Sequence, residues 1–427
     1  MNTIPFKQKT NCLISGIFLL QFSFNVLAHG ESTPPGPSTD VSPLTSNVRY
    51  ENRAQALIIR AGAIFDGTTF LEGEHDILIQ RGKITQIGQI NTIRVNNARV
   101  IKIPEGTILP GFIDMHTHHL INNVPPLRIL QHGVTTARDL GSAEPITGAV
   151  INNKPYQLRQ FYSGPILQAL GGYPNVVFPG SGVVVSGNSD VRAKVDALAT
   201  QGASAIAVSL DDGLETGAPW HWHMPASPPP WPTLSDADLL SIVDQAHKKG
   251  LKVTAYFGND AGAQRALAAG VDEWAHMPCE LLTGSVIAEA GSKKIAIDTT
   301  IDTFVQCPGV HENSDLLLGA GAQLFYGTDM GHLDIPHGID SNEIHMLLHA
   351  GFHNGLGYVP SLTKALIAAT SAPAAYLGLA PLGTIALNAP ADIVVIGGDV
   401  RDNFKALEYP RLVVKNGYVV INRLAGE

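Results

Sequence analysis

From Ala56 to Ile103 the apolar positions fall in short runs separated by turn-forming residues, which predicts β-strands at Leu57–Arg60, Asp76–Ile79, Ile84–Ile87 and Val100–Ile103, with turns at Asp66-Gly67 and Arg81-Gly82-Lys83. These strands are too few to close a core. Comparable runs recur near the other end, at Ala391–Ile396 and at Arg411–Val420, the latter a hairpin about Asn416-Gly417. Residues 51–108 and 384–427 are therefore expected to build one small β-sandwich domain. Between them, residues 109–383 alternate strand-like runs with helical segments. Ala205–Leu210 reads as a strand, Asp236–Lys249 as a helix stopped by Gly250, Leu251–Tyr256 as a strand, Asp260–Ala269 as a helix stopped by Gly270, and Val271–His276 as a further strand. That alternation predicts an α/β fold of the (β/α)8, or TIM, barrel type, in which functional residues gather at the C-terminal ends of the strands. Ser361–Leu379 has helical spacing and is expected to pack on the barrel as one helix.

The N-terminus departs from this pattern. Lys7 and Lys9 precede a largely apolar stretch, Leu13–Leu27, and Val26-Leu27-Ala28 has the small-residue spacing of a signal peptidase site. Residues 1–28 are expected to be a signal peptide, with an uncleaved anchor as the alternative. Residues 29–50, rich in Pro, Ser, Thr and Gly, read as a flexible linker. The mature protein would then be exported, periplasmic or secreted, and would have no membrane partner after cleavage. A net charge of −9, with no basic cluster, excludes nucleic acid as a natural partner. A small-molecule substrate is expected instead, and a homo-oligomer is possible. Two of the three cysteines, Cys279 and Cys307, remain after the leader; they are too few for a disulfide scaffold, and whether they pair is left open.

Chemistry concentrates in Leu109–Leu120, LPGFIDMHTHHL. Alternate residues of a strand share a face, so His116 and His118 can point together at one metal ion while Thr117 points away. Asp114 precedes the pair, and GVTTARDLG, Gly133 to Gly141, follows one helix later. Three further residues end predicted strands: Tyr256 in KVTAYFG, His276 in DEWAHMP and Asp329 in FYGTDMG.

With these motifs the chain resembles the amidohydrolase superfamily of metal-dependent hydrolases, in particular its imidazolonepropionase-like and prolidase-like branch. The resemblance spans nearly the whole mature chain. It implies that His116, His118 and Asp329 serve one metal and His276 a second, with Asp329 and His276 as the catalytic pair. The chain departs from the family pattern at three positions. Ala207 stands where the bridging lysine of strand four belongs, Tyr256 where a strand-five histidine is usual, and Ala275 where a glutamate commonly precedes His276. The second metal site is thus degenerate, which implies a mononuclear centre holding one divalent ion, zinc in the first instance. Its reaction would be hydrolysis of a carbon–nitrogen bond other than an ordinary peptide bond, as in an Xaa-Pro-type dipeptide or a cyclic amide. The alternatives are a catalytically inactive binding protein and a mononuclear deaminase of an aminated heterocycle.

Tyr256 reads either as a metal-assisted ligand or as an aromatic packed at the barrel mouth. The stretch Gly217–Pro232, GAPWHWHMPASPPPWP, carries His221, His223, Trp220, Trp222 and Trp231. It reads either as a lid contacting substrate, with His221 or His223 replacing the missing ligand, or as a solvent-facing or intersubunit loop. His332 and His337 could line the mouth, whereas His311, His345, His349 and His353 carry no specific signal. Asp298, Glu280 and Asp211 are possible substrate contacts.

Overall fold

A computed structural model describes residues 56–143, 154–332 and 334–424; the expected leader and linker lie outside the described residues. Both chain ends contribute to one continuous eight-stranded sheet. Its N-terminal strands include Leu57–Phe65, His75–Gln80, Lys83–Gln89 and Arg99–Pro110, and its C-terminal strands are Ile393–Ile396, Leu412–Lys415 and Tyr418–Asn422. The ends join where Arg99–Pro110 pairs antiparallel with Ile393–Ile396. Leu57, Ile59, Ile77, Ile79, Ile101, Ile393, Val395, Leu412 and Val414 bury one core together, so the sheet folds over itself. The hairpin at Asn416-Gly417 has φ of 47° and 80°, the left-handed pair that a tight two-residue turn requires.

Eight strands run through the middle of the chain, Phe112–Thr117, Val134–Asp139, Arg159–Tyr162, Ala205–Ser209, Lys252–Tyr256, Glu273–Trp274, Ala296–Asp298 and Gln323–Phe325, and, among the described residues, helices separate the first from the second and each of the third to seventh from the next. All neighbouring pairings among strands one to three and among strands four to eight are parallel. Backbone hydrogen bonds bridge the two remaining seams. Ser204 N–H donates to Tyr162 O at 2.8 Å, joining strands three and four. Met115 N–H donates to Tyr326 O at 3.0 Å, Asp329 N–H to His116 O at 2.9 Å and His118 N–H to Met330 O at 2.7 Å, joining strands one and eight. The ring is the expected (β/α)8 barrel.

The predicted helices at 236–249 and 260–269 form as Asp236–Lys248 and Asp260–Ala269, capped by Ser235 and Asn259, whose side chains accept from backbone N–H groups of the first turn. The segment read as one helix over 361–379 is instead two, Tyr358–Ala368 and Ser371–Tyr376. The break has a cause in the barrel: the carbonyls of Ala368 and Ala369 accept from Tyr326 N–H at 3.0 Å and Ile113 N–H at 2.8 Å, so they face strands eight and one rather than a further helical turn. Thr370 Oγ1 also donates back to Leu366 O at 2.6 Å. Strand six is shorter than expected, Glu273–Trp274, which leaves His276 in the loop just beyond it.

Beneath the mouth, Arg138 of strand two lies buried between Glu273 of strand six and Asp298 of strand seven, donating from Nη1 to Glu273 Oε2 at 3.1 Å, from Nη2 to Asp298 Oδ2 at 2.8 Å and from Nε to Met115 O at 2.8 Å. Burial, with Glu273 beside it, pushes the Asp298 carboxyl well up, and Arg138 opposes that rise. Asp298 is fully buried in this network, and its Oδ1 has no hydrogen-bond partner.

Cys279 and Cys307 form a disulfide, joining the loops that follow strands six and seven across 28 residues of sequence. Loop-closure entropy for a loop of that length corresponds to roughly 3–4 kcal/mol of stabilisation. Peptide mapping without reductant should recover the linked pair, and a Cys307→Ser variant should lose about that much in a denaturant unfolding curve; a free thiol at either position in native protein would contradict the pairing.

Candidate active site

The first strand, FIDMHT, is buried along its whole length and carries its polar side chains in fixed directions. Asp114 Oδ2 accepts from Thr328 Oγ1 at 2.6 Å, and Asp114 Oδ1 accepts from the N–H of Thr328 and of His116 at 3.2 Å each. Burial pushes the Asp114 carboxyl up to about 7 against these hydrogen bonds. The carboxyl thereby pins the turn after strand eight onto strand one. Asp329, at the end of that turn, has φ of 60°, a left-handed conformation uncommon outside glycine that marks a residue held for a purpose. Two glycines allow the close fit: a Cβ on Gly327 would lie 2.9 Å from the His116 Cβ, and one on Gly141 would lie 2.9 Å from His118 Cε1.

His116, His118 and Asp329 converge. His116 Nε2 and His118 Nε2 are 3.2 Å apart, and Asp329 Oδ1 lies 3.6 Å and 3.3 Å from them. The protons of His116 and Tyr256 can be assigned from their partners. His116 Nδ1 lies 2.5 Å from Ala275 O, and since a carbonyl only accepts, the proton sits on Nδ1 and the Nε2 lone pair faces the cluster. Burial, then the neighbouring imidazoles of His276 and His118, hold the His116 pKa well below its ordinary value, so the ring is neutral. Tyr256 Oη lies 2.5 Å from Leu140 O, which takes its only proton, yet the same oxygen lies 3.2 Å from His116 Nε2. Burial raises the Tyr256 pKa further, with Tyr173 and Asp329 adding to the rise, so the phenol stays neutral.

The His116 lone pair thus faces the Tyr256 oxygen, His118 Nε2 and Asp329 Oδ1 inside the protein. Asp329 Oδ1 is buried and has no hydrogen-bond partner. Two imidazole nitrogens and a carboxylate oxygen this close together could hold a cation, and such a set suits a divalent ion of the zinc type. The donor set therefore fits a divalent metal. Tyr256 adds a neutral oxygen at the strand-five position, and Ala207 of strand four, fully buried, offers none.

His276 lies beside this set rather than within it. Its ring stacks on His116 with centroids 4.3 Å apart, and its Nδ1 is 2.8 Å from Thr300 Oγ1. Burial lowers its pKa to about 3, with His118 and His332 adding to the fall and Asp329 opposing it. His332 Nε2 lies 3.2 Å from Asp329 Oδ2, on the opposite side of the carboxylate from the converging pair. Burial raises the Asp329 pKa, but His332, His118 and His276 outweigh it, and the carboxylate is held below its ordinary range. His119, the third histidine of the motif, is buried against Thr117 and Gln160 and turns away.

An aromatic wall adjoins the set. Phe304 packs on His276 at 4.4 Å between centroids, Trp220 on Phe304 at 5.8 Å, Tyr173 on Trp220 at 5.7 Å and on Tyr256 at 6.3 Å, and Trp231 stacks on Tyr173 at 6.2 Å. Trp220 and Trp231 are thus buried in the site and not in a solvent-facing loop. His223 is exposed and packs on Phe178, with His332 among the charges that act on it, and the side chains of His221 and Trp222 lie outside the described residues. Burial lowers the His337 pKa, with Arg128 and His132 adding to the fall. Asp211 is buried beside Asp212 and Glu215, a second acidic group at the end of strand four. Tyr173 and Phe304 escaped the sequence reading because no motif marks a lone aromatic residue in a loop.

Residues 107–420 match the amidohydrolase family. Dihydroorotase of Aquifex aeolicus (strain VF5) is 42% identical over 62 residues, 14% of each chain, so the match spans far less than two thirds of that relative. Among solved structures, an Xaa-Pro dipeptidase with bound methionine is 19% identical with a TM-score of 0.67 over 86% of this chain and 99% of that one. A putative prolidase from Bifidobacterium longum is 21% identical with a TM-score of 0.69 over 88% and 96%. The A. niger ochratoxinase is 19% identical with a TM-score of 0.69 over 88% and 98%. At those identities the likeness establishes a common fold. The family match, which takes in every barrel strand and the C-terminal strands of the chain-end sheet, establishes more: the chain belongs to the amidohydrolase family of hydrolases.

Proposed function

We propose that the protein hydrolyses an amide-type carbon–nitrogen bond, using one divalent cation, zinc in the first instance, held by His116, His118 and Asp329. The observation that carries this reading is the buried Asp329 Oδ1, without a protein partner and 3.3 Å from His118 Nε2. A cation there supplies Lewis acidity, which lowers the pKa of a water from ~15.7 towards ~7. Asp329, kept anionic by its imidazole neighbours, accepts the proton of the attacking water and delivers it to the leaving nitrogen. With the Thr300 hydroxyl donating to Nδ1, neutral His276 carries its proton on Nε2 and donates it to the tetrahedral oxyanion, a role worth about 3 kcal/mol when the donor is held in place. Tyr256, its proton committed to Leu140 O, packs edge-on against the His116 ring with centroids 5.5 Å apart and turns its oxygen toward the site.

The aromatic wall suits a substrate with an apolar flank. Trp220 Nε1 is buried without a partner in the protein, so it is a ready donor to a substrate carbonyl or carboxylate. An Xaa-Pro-type dipeptide or a cyclic amide has both features, and the fold neighbours named for dipeptide and ochratoxin chemistry support that class. We further propose that the protein acts after export.

Three outcomes test the reading. Elemental analysis should find a divalent metal in the wild type and much less in Asp329→Asn, with turnover of dipeptides and lactams reduced by at least about 100-fold; full activity in that variant would end the assignment. Ammonia release from aminated heterocycles would move the reaction to deamination, and absence of both metal uptake and turnover would favour a binding protein.

Trp220→Phe keeps the wall but removes the donor, so KM should rise about fivefold with kcat nearly constant, the effect of one hydrogen bond of about 1 kcal/mol; an unchanged KM would remove Trp220 from substrate recognition.

The third outcome concerns pH. A histidine whose folded pKa is lowered contributes stability that is present above its unfolded value and lost as pH falls from about 6.5 towards about 3. In metal-stripped protein, His276→Gln should therefore lessen the stability lost between pH 7 and pH 5 by roughly 2 kcal/mol. Equal pH dependence in the two proteins would show that His276 is not held neutral.

A further inference from the structure

The helix after strand eight, Ser341–His353, carries His345, His349 and His353 at successive spacings of four, which places them along one face. Their rings follow one another, with centroids 4.5 Å apart for His345 and His349 and 5.7 Å for His349 and His353. The neighbouring helix, Val310–Ala320, presents His311 and Asp315, again four apart. His353 Nδ1 lies 2.7 Å from Asp315 Oδ2, so the two helices already meet through an imidazole and a carboxylate. Between them is a cleft of about 140 Å³ lined by His311, Ser314, Asp315, His349 and His353. Ser314, only 2% exposed, has its Oγ buried with no hydrogen-bond partner, an atom that offers a hydrogen bond to whatever the cleft binds.

We propose that this cleft is a second metal site, separate from the barrel mouth, in which His311, His349, His353 and Asp315 bind a borderline divalent cation such as Zn2+. Imidazole with carboxylate is the donor chemistry such ions select, and a pair of histidines four apart on a helix is a recurrent way of presenting two nitrogens to one ion. His311, His349 and His353 are exposed and Asp315 is half-buried, and their donor atoms, which are not gathered into one cluster, would close on the ion by side-chain rotation. The ion joins the outer helices that follow strands seven and eight.

The probe is zinc. Metal-stripped full-length protein is dialysed against low micromolar zinc and the bound metal is counted, for wild type, His349→Ala/His353→Ala and His116→Ala/His118→Ala. The outer double variant should bind one zinc per chain fewer than wild type while keeping the wild-type circular dichroism, and zinc should raise the melting temperature of wild type more than that of the variant. His311→Gln leaves the histidine-bearing helix untouched and should weaken the same zinc by an order of magnitude or more. Wild-type stoichiometry and affinity in the outer variants would overturn the proposal, as would loss of all bound zinc in the His116→Ala/His118→Ala protein alone.

Discussion

The candidate site exists only because the barrel closes between its first and last strands. His116 and His118 belong to one side of that seam and Asp329 to the other, and the backbone hydrogen bonds from Asp329 N–H to His116 O and from His118 N–H to Met330 O set their separation. The buried carboxyl of Asp114, which accepts from both the hydroxyl and the N–H of Thr328, fixes the turn from which Asp329 projects. A left-handed backbone at a residue with a side chain costs on the order of 1–3 kcal/mol and persists only where its surroundings over-determine it. Here the seam does so. The broken helix behind it contributes too, since the carbonyls of Ala368 and Ala369 hold Tyr326 and Ile113, one residue on each side of the join.

Charge is layered along the barrel axis in a way that follows from burial. Arg138, with Glu273 and Asp298, forms a buried ionic layer, and Asp298 Oδ2 lies 3.9 Å from His116 Nδ1. Ala275 O, rather than Asp298, takes the His116 proton, so the ring stays neutral and presents a lone pair to the cluster. Losing the strand-four lysine and the strand-five histidine removes one potential anionic bridge and one imidazole. Tyr256 fills the resulting space and returns only a neutral oxygen. On the proposed reading, a single divalent charge facing one carboxylate and neutral donors keeps residual positive potential, which favours a developing oxyanion.

How much of this was legible in the sequence depended on distance along the chain. The hairpin at Asn416-Gly417, the helix stops at Gly250 and Gly270, and the His116/His118 pair are local patterns with a direct geometric meaning, and each appears where the pattern put it. Asp329 was legible because the barrel's topology places strand ends together. The stacking of His276 on His116 was not, because a strand-end position leaves ring orientation undetermined; strand six stops at Trp274, and Thr300, from the next loop, takes its Nδ1. Trp220 and Trp231 were visible as residue types, but their burial against Tyr173 depends on a loop from strand three that no periodicity describes. The pairing of Cys279 with Cys307 likewise required knowing that the two loops run side by side.

These loops connect the scaffold to the chemistry. The disulfide ties the segment that carries His276 to the segment that carries Phe304, and Phe304 packs on His276 itself. Cys279 Sγ also approaches Thr216 O at 3.2 Å, at the foot of the loop that brings Trp220 over Phe304. Three chain segments are thereby held against one another by a covalent bond and a continuous run of aromatic contacts, so the proposed substrate wall and the proposed acid–base residue share one support. A wall built this way selects by shape and apolar contact, while discrimination by hydrogen bonding falls to few atoms, of which the buried Trp220 Nε1 is the clearest. A site that must reject close analogues gains most from such a donor, because an analogue lacking the acceptor leaves it buried and unpaired.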